Sequence, residues 1–518
     1  MLRQLTVAAL LLTVLSAGAA AQNNAATVIA NASKAMGAET LNSITFSGTA
    51  RNGQFGQSKS IATPLGPTNT TLITAYTRTL TFAPAATPMA LVSRATGPQM
   101  PPTVPGAPAP MPGVFNQNIT GMQLAANWGQ ALNVWTTPWG FLKGAAANNA
   151  TARQQGGQQV VSWSPANLKS PSGQMYTVTG YINNQNLVTK VETRVEHAVA
   201  GDLLVEFDYS NYRNVNGVQV PGRIVQKQGG LETFNADITA ATANPANLTE
   251  LLTPPPAPAR GGGAPAGAPA AAPAGAPAQG GAAPAQGGGA QQAAAPPTID
   301  KLGEGVFKIG GNYTALAVDM GDHIVVIESG QSDARGMAVM AAAKQAIPNK
   351  PIRFVVNSHP HFDHASGLAA AVAEGATIIT HSNNETVLDR LLSNPRTLTG
   401  DSLSKVPTRR PNIDSMGERQ VLRGTNGKVI ELHHVQGLEH SDGMLMAYLP
   451  AEKVLYTADF NFPAANAPAG PAPFAFATLK ANVDRLRLDY NTFIPAHAPN
   501  PDRPLTRADV DALTRGTN

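Results

Sequence analysis

Residues 253–297 read TPPPAPARGGGAPAGAPAAAPAGAPAQGGAAPAQGGGAQQAAAPP, and no other stretch constrains this chain more. A single arginine is the only charge in it, and no apolar side chain is larger than proline. Such a segment buries too little surface to offset the entropy of ordering its backbone. It is expected to be a disordered Ala/Pro/Gly linker, extended where proline dominates and loose where glycine does. The 518-residue chain must then fold as at least two units, residues 22–252 and 298–518.

Residues 1–21 have a basic start at Arg3, an apolar run and a small-residue ending at Ala19, Ala20 and Ala21. That pattern predicts a signal peptide, because the run is shorter than the roughly 20 apolar residues that span a bilayer. No later stretch is long and apolar enough either, so the expectation is a periplasmic or secreted protein with no membrane span. The chain has no cysteine, which excludes a thiolate ligand or thiol nucleophile. A net charge of +4, with no Lys/Arg cluster interleaved with aromatics, gives no reason to expect nucleic acid.

The first unit reads as mostly antiparallel sheet. A helix over "AATVIANASKAMGA" precedes segments of period-two character, among them "SITFSGTAR", "LVTKVETRVE", "LLVEFDYSNYR" and "VQVPGRIVQK", with turn signals such as "NVNG" between them. The Pro- and Met-rich stretch 84–118 shows no period and reads as a long surface loop. Helix, "LNSITFSGTA" and the later "YSNYRNVNGVQVPGRI" loosely resemble the half-barrel domains of LolA/LolB-like lipoprotein carriers. The resemblance implies a sheet cupping an apolar ligand or envelope partner; a scaffold without a ligand is the equal alternative.

Eight of the ten histidines lie between residues 359 and 497, so the chemistry belongs to the second unit. The run "HPHFDH" places His359, His361, Asp363 and His364 within six residues, directly after the apolar strand "IRFVV". Imidazole and carboxylate are the usual nitrogen and oxygen ligands of a borderline metal such as zinc. Further polar residues stand at strand ends or in turns: His440 in "GLEHSDG", Asp459 ending "VLYTAD" and His497 ending "FIPAH".

In this order, "HPHFDH" with Gly367, "HSDG" with "YLPAEKVLYTADF", and "IPAHAP" resemble the successive motifs of the metallo-β-lactamase superfamily. The resemblance spans about residues 303 to 500 and implies a four-layer αββα sandwich; the whole chain is thus expected to be α+β. It further implies that His359, His361 and His440 hold a first metal, that Asp363, His364 and His497 hold a second, and that Asp459 bridges the two. Two Zn2+ ions would share a hydroxide that attacks an ester, thioester, lactone or amide of a small-molecule substrate. Asp363 and Asp459 are the candidate catalytic residues, Asp363 as an orienter of that hydroxide or a proton carrier.

Other readings stay open: an iron-dependent sulfur dioxygenase-type oxidoreductase, a true β-lactamase, and a non-catalytic envelope binding protein. The chain departs from the family pattern with Glu328 in "ESG", Ala458 before Asp459 and Ala496 before His497, which puts the surroundings of the ligands in question. His381, His433, His434 and Asp442 are expected near the site without being ligands. Arg396, Arg409 and Arg410 read as a solvated loop, with contact to an anionic substrate as the alternative.

Overall fold

Period-two alternation in the first half of the chain becomes one open sheet of eleven strands. The computed structural model describes residues 25–66, 70–82, 91–98, 112–119, 127–253, 296–311, 313–462, 474–499 and 502–514. The expected signal peptide and residues 254–295 of the expected linker lie outside them. Across the sheet the strands run Pro112–Ile119, Leu91–Pro98, Thr71–Thr81, Ser43–Asn52, Leu231–Ala243, Val218–Gln228, Gly201–Val215, Val188–His197, Val178–Ile182, Gln158–Trp163 and Thr151–Gln155. Neighbours pair antiparallel, and the two outer strands do not pair with each other, so no barrel closes.

Two of these strands correct the sequence reading. The stretch 84–118, expected as a loop, contributes Leu91–Pro98 and Pro112–Ile119 as a paired hairpin at the sheet edge. Proline obscured them: the stretch is rich in it, yet within the strands it falls only at an end, at Pro98 and at Pro112. Two helices also went unread, Trp128–Trp135 and Pro138–Ala147, capped by the side chains of Asn127 and Thr137. They span only 8 and 10 residues, too few for a sustained helical period to stand out. Their Trp139, Phe141 and Leu142 are buried against the sheet, where a Cβ on Gly180 would meet the Phe141 ring at 2.3 Å.

The second half folds into two sheets with helices outside. One has seven strands: Ile299–Gly303, Val306–Ile309, Ala315–Asp319, Ile324–Ile327, Ile352–Val356, Thr377–His381 and Ile413–Met416. The other has six: Arg419–Arg423, Val429–His434, Leu445–Leu449, Val454–Thr457, Thr492–Pro495 and Leu505–Thr506. Strand alternation sorts the layers. Leu316, Val318, Val325, Ile327 and Val356 join Leu432, Met446, Tyr456 and Phe493 in the core between the sheets. Their neighbours Ala315, Ala317, Ile324, Val326 and Val355 face the other way, toward the helices Asp333–Ala346 and Leu368–Glu374. Burial on both faces explains why these strands read as unbroken apolar runs.

The two units pack against each other. Asp202, 3% exposed, accepts hydrogen bonds from Thr397 N at 2.9 Å, Thr397 Oγ1 at 2.7 Å and Leu398 N at 2.9 Å. In return Arg396 donates to the carbonyls of Val199, at 3.0 Å, and Ala198, while its other side is held by Asp401 at 2.7 Å. Arg396 is therefore committed to the joint between the units and is not available to a substrate, as one reading of its loop had allowed.

Candidate metal centre

Buried strands end at one edge of the sandwich, and the polar residues follow them. The strand Ile352–Val356 stops short of the histidines, so His359 and His361 lie in the loop beyond it rather than alternating on a strand end. His361 caps the short helix Phe362–Ala365, whose turn carries Asp363 and His364. His440 sits in the connection between Val429–His434 and Leu445–Leu449, while Asp459 and His497 each follow a strand by two residues.

These seven residues converge into two groups that share Asp459. His359, His361, His440 and Asp459 form one, and Asp363, His364, Asp459 and His497 the other; in each group the ligating atoms lie within 4.8 Å of one another. The Asp459 carboxylate divides between them. Its Oδ2 lies 2.6 Å from His440 Nε2 and 3.4 Å from His359 Nε2. Its Oδ1 lies 2.7 Å from His497 Nε2 and 2.8 Å from His364 Nε2. Asp459 has φ +42°, a left-handed conformation uncommon outside glycine and Asn/Asp that turns its side chain into the gap.

Glu328 organises the far side of both groups. Fully buried at φ +76°, it accepts from Ser329 N at 2.9 Å through Oε1 and faces His364 Nδ1 at 2.9 Å through Oε2. The same Oε2 accepts the Ser358 hydroxyl at 2.6 Å, and Ser358 Oγ lies 3.3 Å from His359 Nδ1. With Nδ1 engaged in each ring, His359 and His364 both present Nε2 to the centre. The longer reach of glutamate, a departure from the family pattern, is what brings its carboxylate to His364. At the other two departures, Ala458 and Ala496 are buried in the core between the sheets.

The electrostatics follow from burial and proximity. Burial pulls His359 down to about 4 and holds His361 well below the usual histidine range, the neighbouring histidines adding to it. Burial also opposes charge on His364, but Asp459 and Glu328 outweigh it and raise that ring well above its ordinary value. For Asp459, the penalty of burial is overcome by His364 and His359, which hold its carboxyl well below the usual range.

The donor set fits a metal. The buried His361 Nδ1 has no hydrogen-bond partner, and Asp459 Oδ1, set between His364 and His497, meets neither in hydrogen-bond geometry. His359 and His440 face each other Nε2 to Nε2 at 3.3 Å, as do His364 and His497 at 3.2 Å. Lone pairs at such separations repel unless a proton or a metal cation lies between them. Nitrogen and oxygen donors with no sulfur suit zinc or iron.

Two contacts were not legible locally. Tyr313 donates its hydroxyl to Asp363 Oδ2 at 3.0 Å and sets its ring edge-on to His497 and His364. Gln57, from the other unit, donates to Asp363 Oδ1 at 2.7 Å. Of the neighbouring histidines, His381 stacks on His434 at 4.1 Å and His433 pairs with Glu431 at 3.1 Å; neither joins either group.

Residues 309–497, within the C-terminal unit, match the model of the metallo-beta-lactamase superfamily. The 2,4-dinitroanisole O-demethylase subunit alpha of Nocardioides sp. (strain JS1661) is 24% identical over 188 residues, 36% of this chain and 53% of that protein. The chain thus spans about half the length of that relative. Among solved structures, the metallo-beta-lactamase from Hirschia baltica is 19% identical with a TM-score of 0.31, over 42% of this chain and 96% of that one. The metallo-beta-lactamase FIM-1 from Pseudomonas aeruginosa, in its mono-zinc form, is 16% identical with a TM-score of 0.31, over 43% and 94%.

Proposed function

We propose that this protein is an exported dinuclear zinc hydrolase that cleaves an ester, thioester, lactone or amide of a small molecule. The observation that carries the reading is Asp459, whose two oxygens each face two histidines of a different group, as a carboxylate bridging two ions requires. Bound there, two ions would supply a water activated at neutral pH and an electrophile for the carbonyl oxygen.

The chain's own residues set the direction of approach. His359, His361 and His364 are buried and form the back of the centre. The side chains of His440, Asp363 and His497 keep 38%, 32% and 28% of their surface, so the substrate reaches the centre from their side. Asp363, fixed by Gln57 and Tyr313, stands at that opening. Its carboxylate is placed to take a proton from the attacking water and return it to the leaving group.

Metal content of the full chain, purified without added metal and measured by elemental mass spectrometry, tests the reading. About two zinc ions per chain support it. They would justify a panel of esters, thioesters, lactones and β-lactams, with an aryl methyl ether added because the O-demethylase relative acts on 2,4-dinitroanisole. Predominantly iron would overturn it in favour of oxygen-dependent chemistry on a thiol or persulfide.

A further inference from the structure

The strand Ser43–Asn52 of the N-terminal unit runs on into a turn, residues 53–60, that lies across the centre. Three contacts strap it to the ligand segments. Phe362 N donates to Gly56 O at 2.9 Å, Asp442 N donates to Lys59 O at 2.9 Å, and Lys59 pairs with Glu439 at 3.0 Å. Gly56 is indispensable to this approach: its φ is +73°, and a Cβ there would lie 2.1 Å from the Phe362 ring. The turn therefore touches the residue that follows His361 and the chain on both sides of His440.

From that position it reaches one residue in each group. Ser58, fully buried, places its carbonyl oxygen 3.1 Å from His361 Nε2. A carbonyl only accepts, so Nε2 carries the proton and the lone pair of the neutral ring is left on Nδ1. That Nδ1 is the buried atom without a hydrogen-bond partner. One residue earlier, the exposed Gln57 donates to Asp363 Oδ1 at 2.7 Å and leaves Oδ2 to Tyr313.

We infer that the N-terminal unit is a working part of the metal centre: Ser58 fixes the tautomer of His361 and Gln57 the aim of Asp363, one ligand for each ion. The inference rests on the two-ion reading above. It gives the first unit a role that neither a separate ligand-binding sheet nor an inert scaffold supplies. Ser58 and Gln57 are positioning residues. Groups that orient a metal's ligands typically contribute on the order of 10- to 100-fold to its affinity.

The test uses the full chain, zinc affinity by competition with a chelating dye, and the visible absorption of the cobalt-substituted protein, which reports ligand geometry. Gly56→Val drives the turn off Phe362, and Gln57→Leu removes only the Asp363 contact and leaves the fold intact. Gln154→Ala, on the exposed outer strand, is the control. Gly56→Val should weaken zinc binding by about 10- to 100-fold and alter the cobalt spectrum. Gln57→Leu should weaken only the second of two binding steps. Two tight sites with unchanged affinity and spectrum in Gln57→Leu would overturn the inference and leave the two-ion reading standing. A wild type that takes up no second ion would bring down both.

Discussion

Glu328 Oε2 lies 2.9 Å from His364 Nδ1, and neither side chain has any exposed surface. An isolated buried carboxylate would be costly; here four hydrogen-bonding contacts offset that cost. The pair fixes which nitrogen of His364 faces the centre. Glu328→Gln preserves shape but removes the charge that favours the Nδ1–H form. The affinity for the second zinc should fall on the order of 10- to 100-fold, measured by chelator competition. Unchanged affinity would show that His364 is oriented by packing alone.

Asp459 is the one residue both groups share. Asp459→Ala should leave at most one ion per chain, counted by elemental mass spectrometry. Hydrolysis should fall by at least about a hundredfold, equivalent to ~2.7 kcal/mol of barrier. Full activity or two retained ions in that variant would refute the bridging assignment.

Tyr313 can be separated from its ring. Tyr313→Phe keeps the edge-on contacts with His364 and His497 and removes only the hydroxyl on Asp363. One hydrogen bond to a partly exposed carboxylate contributes about 1 kcal/mol, so kcat should fall roughly five- to tenfold with metal content unchanged. A variant that loses metal instead would make Tyr313 a support of the ligand set.

At the joint between the units, Asp202→Ala would leave three donors on Thr397 and Leu398 without their acceptor, the Leu398 N–H among them buried. Bonds to a charged acceptor contribute more than neutral ones, and the loss should be about 2–4 kcal/mol in urea-induced unfolding. A loss under about 0.5 kcal/mol, the level of an ordinary surface change, would mean that this contact does not hold the units together.

His197 sets a pH window for the same joint. Its ring packs on Phe362 at 4.5 Å and Phe55 at 6.0 Å, and burial, with Arg396 nearby, pulls it down to about 3. An unfolded histidine titrates near ~6.5, so between the two values the unfolded chain binds a proton that the folded chain excludes. This contribution to stability is whole above about pH 6.5 and declines as the pH falls toward about 3. At pH 5, unfolding of the wild type should take up about one proton more than unfolding of His197→Phe, read from the slopes of stability against pH. Equal slopes would show that His197 is already free to charge.

Much of the site was legible because its chemistry is local in sequence. "HPHFDH" is one loop and turn, and His440, Asp459 and His497 each follow a buried apolar strand that ends at the same edge. The layers themselves were expected only from the resemblance, since strands buried on both faces show no alternation. The prolines of 84–118 hid the strands Leu91–Pro98 and Pro112–Ile119, and the pair of helices beginning at Trp128 was too short to show a sustained period, so all four went unread.

By itself, then, the sequence determined the residue types at the centre and their order along the chain. Only the tertiary structure decided how the carboxylates are shared: Glu328 as the partner of His364, and Asp459 with one oxygen for each group. It alone brought Ser58 to His361, 303 residues away, and Gln57 to Asp363, 306 residues away. A pattern of side chains encodes which surfaces are buried, whereas a contact between a backbone carbonyl and a distant ring exists only once those surfaces have packed.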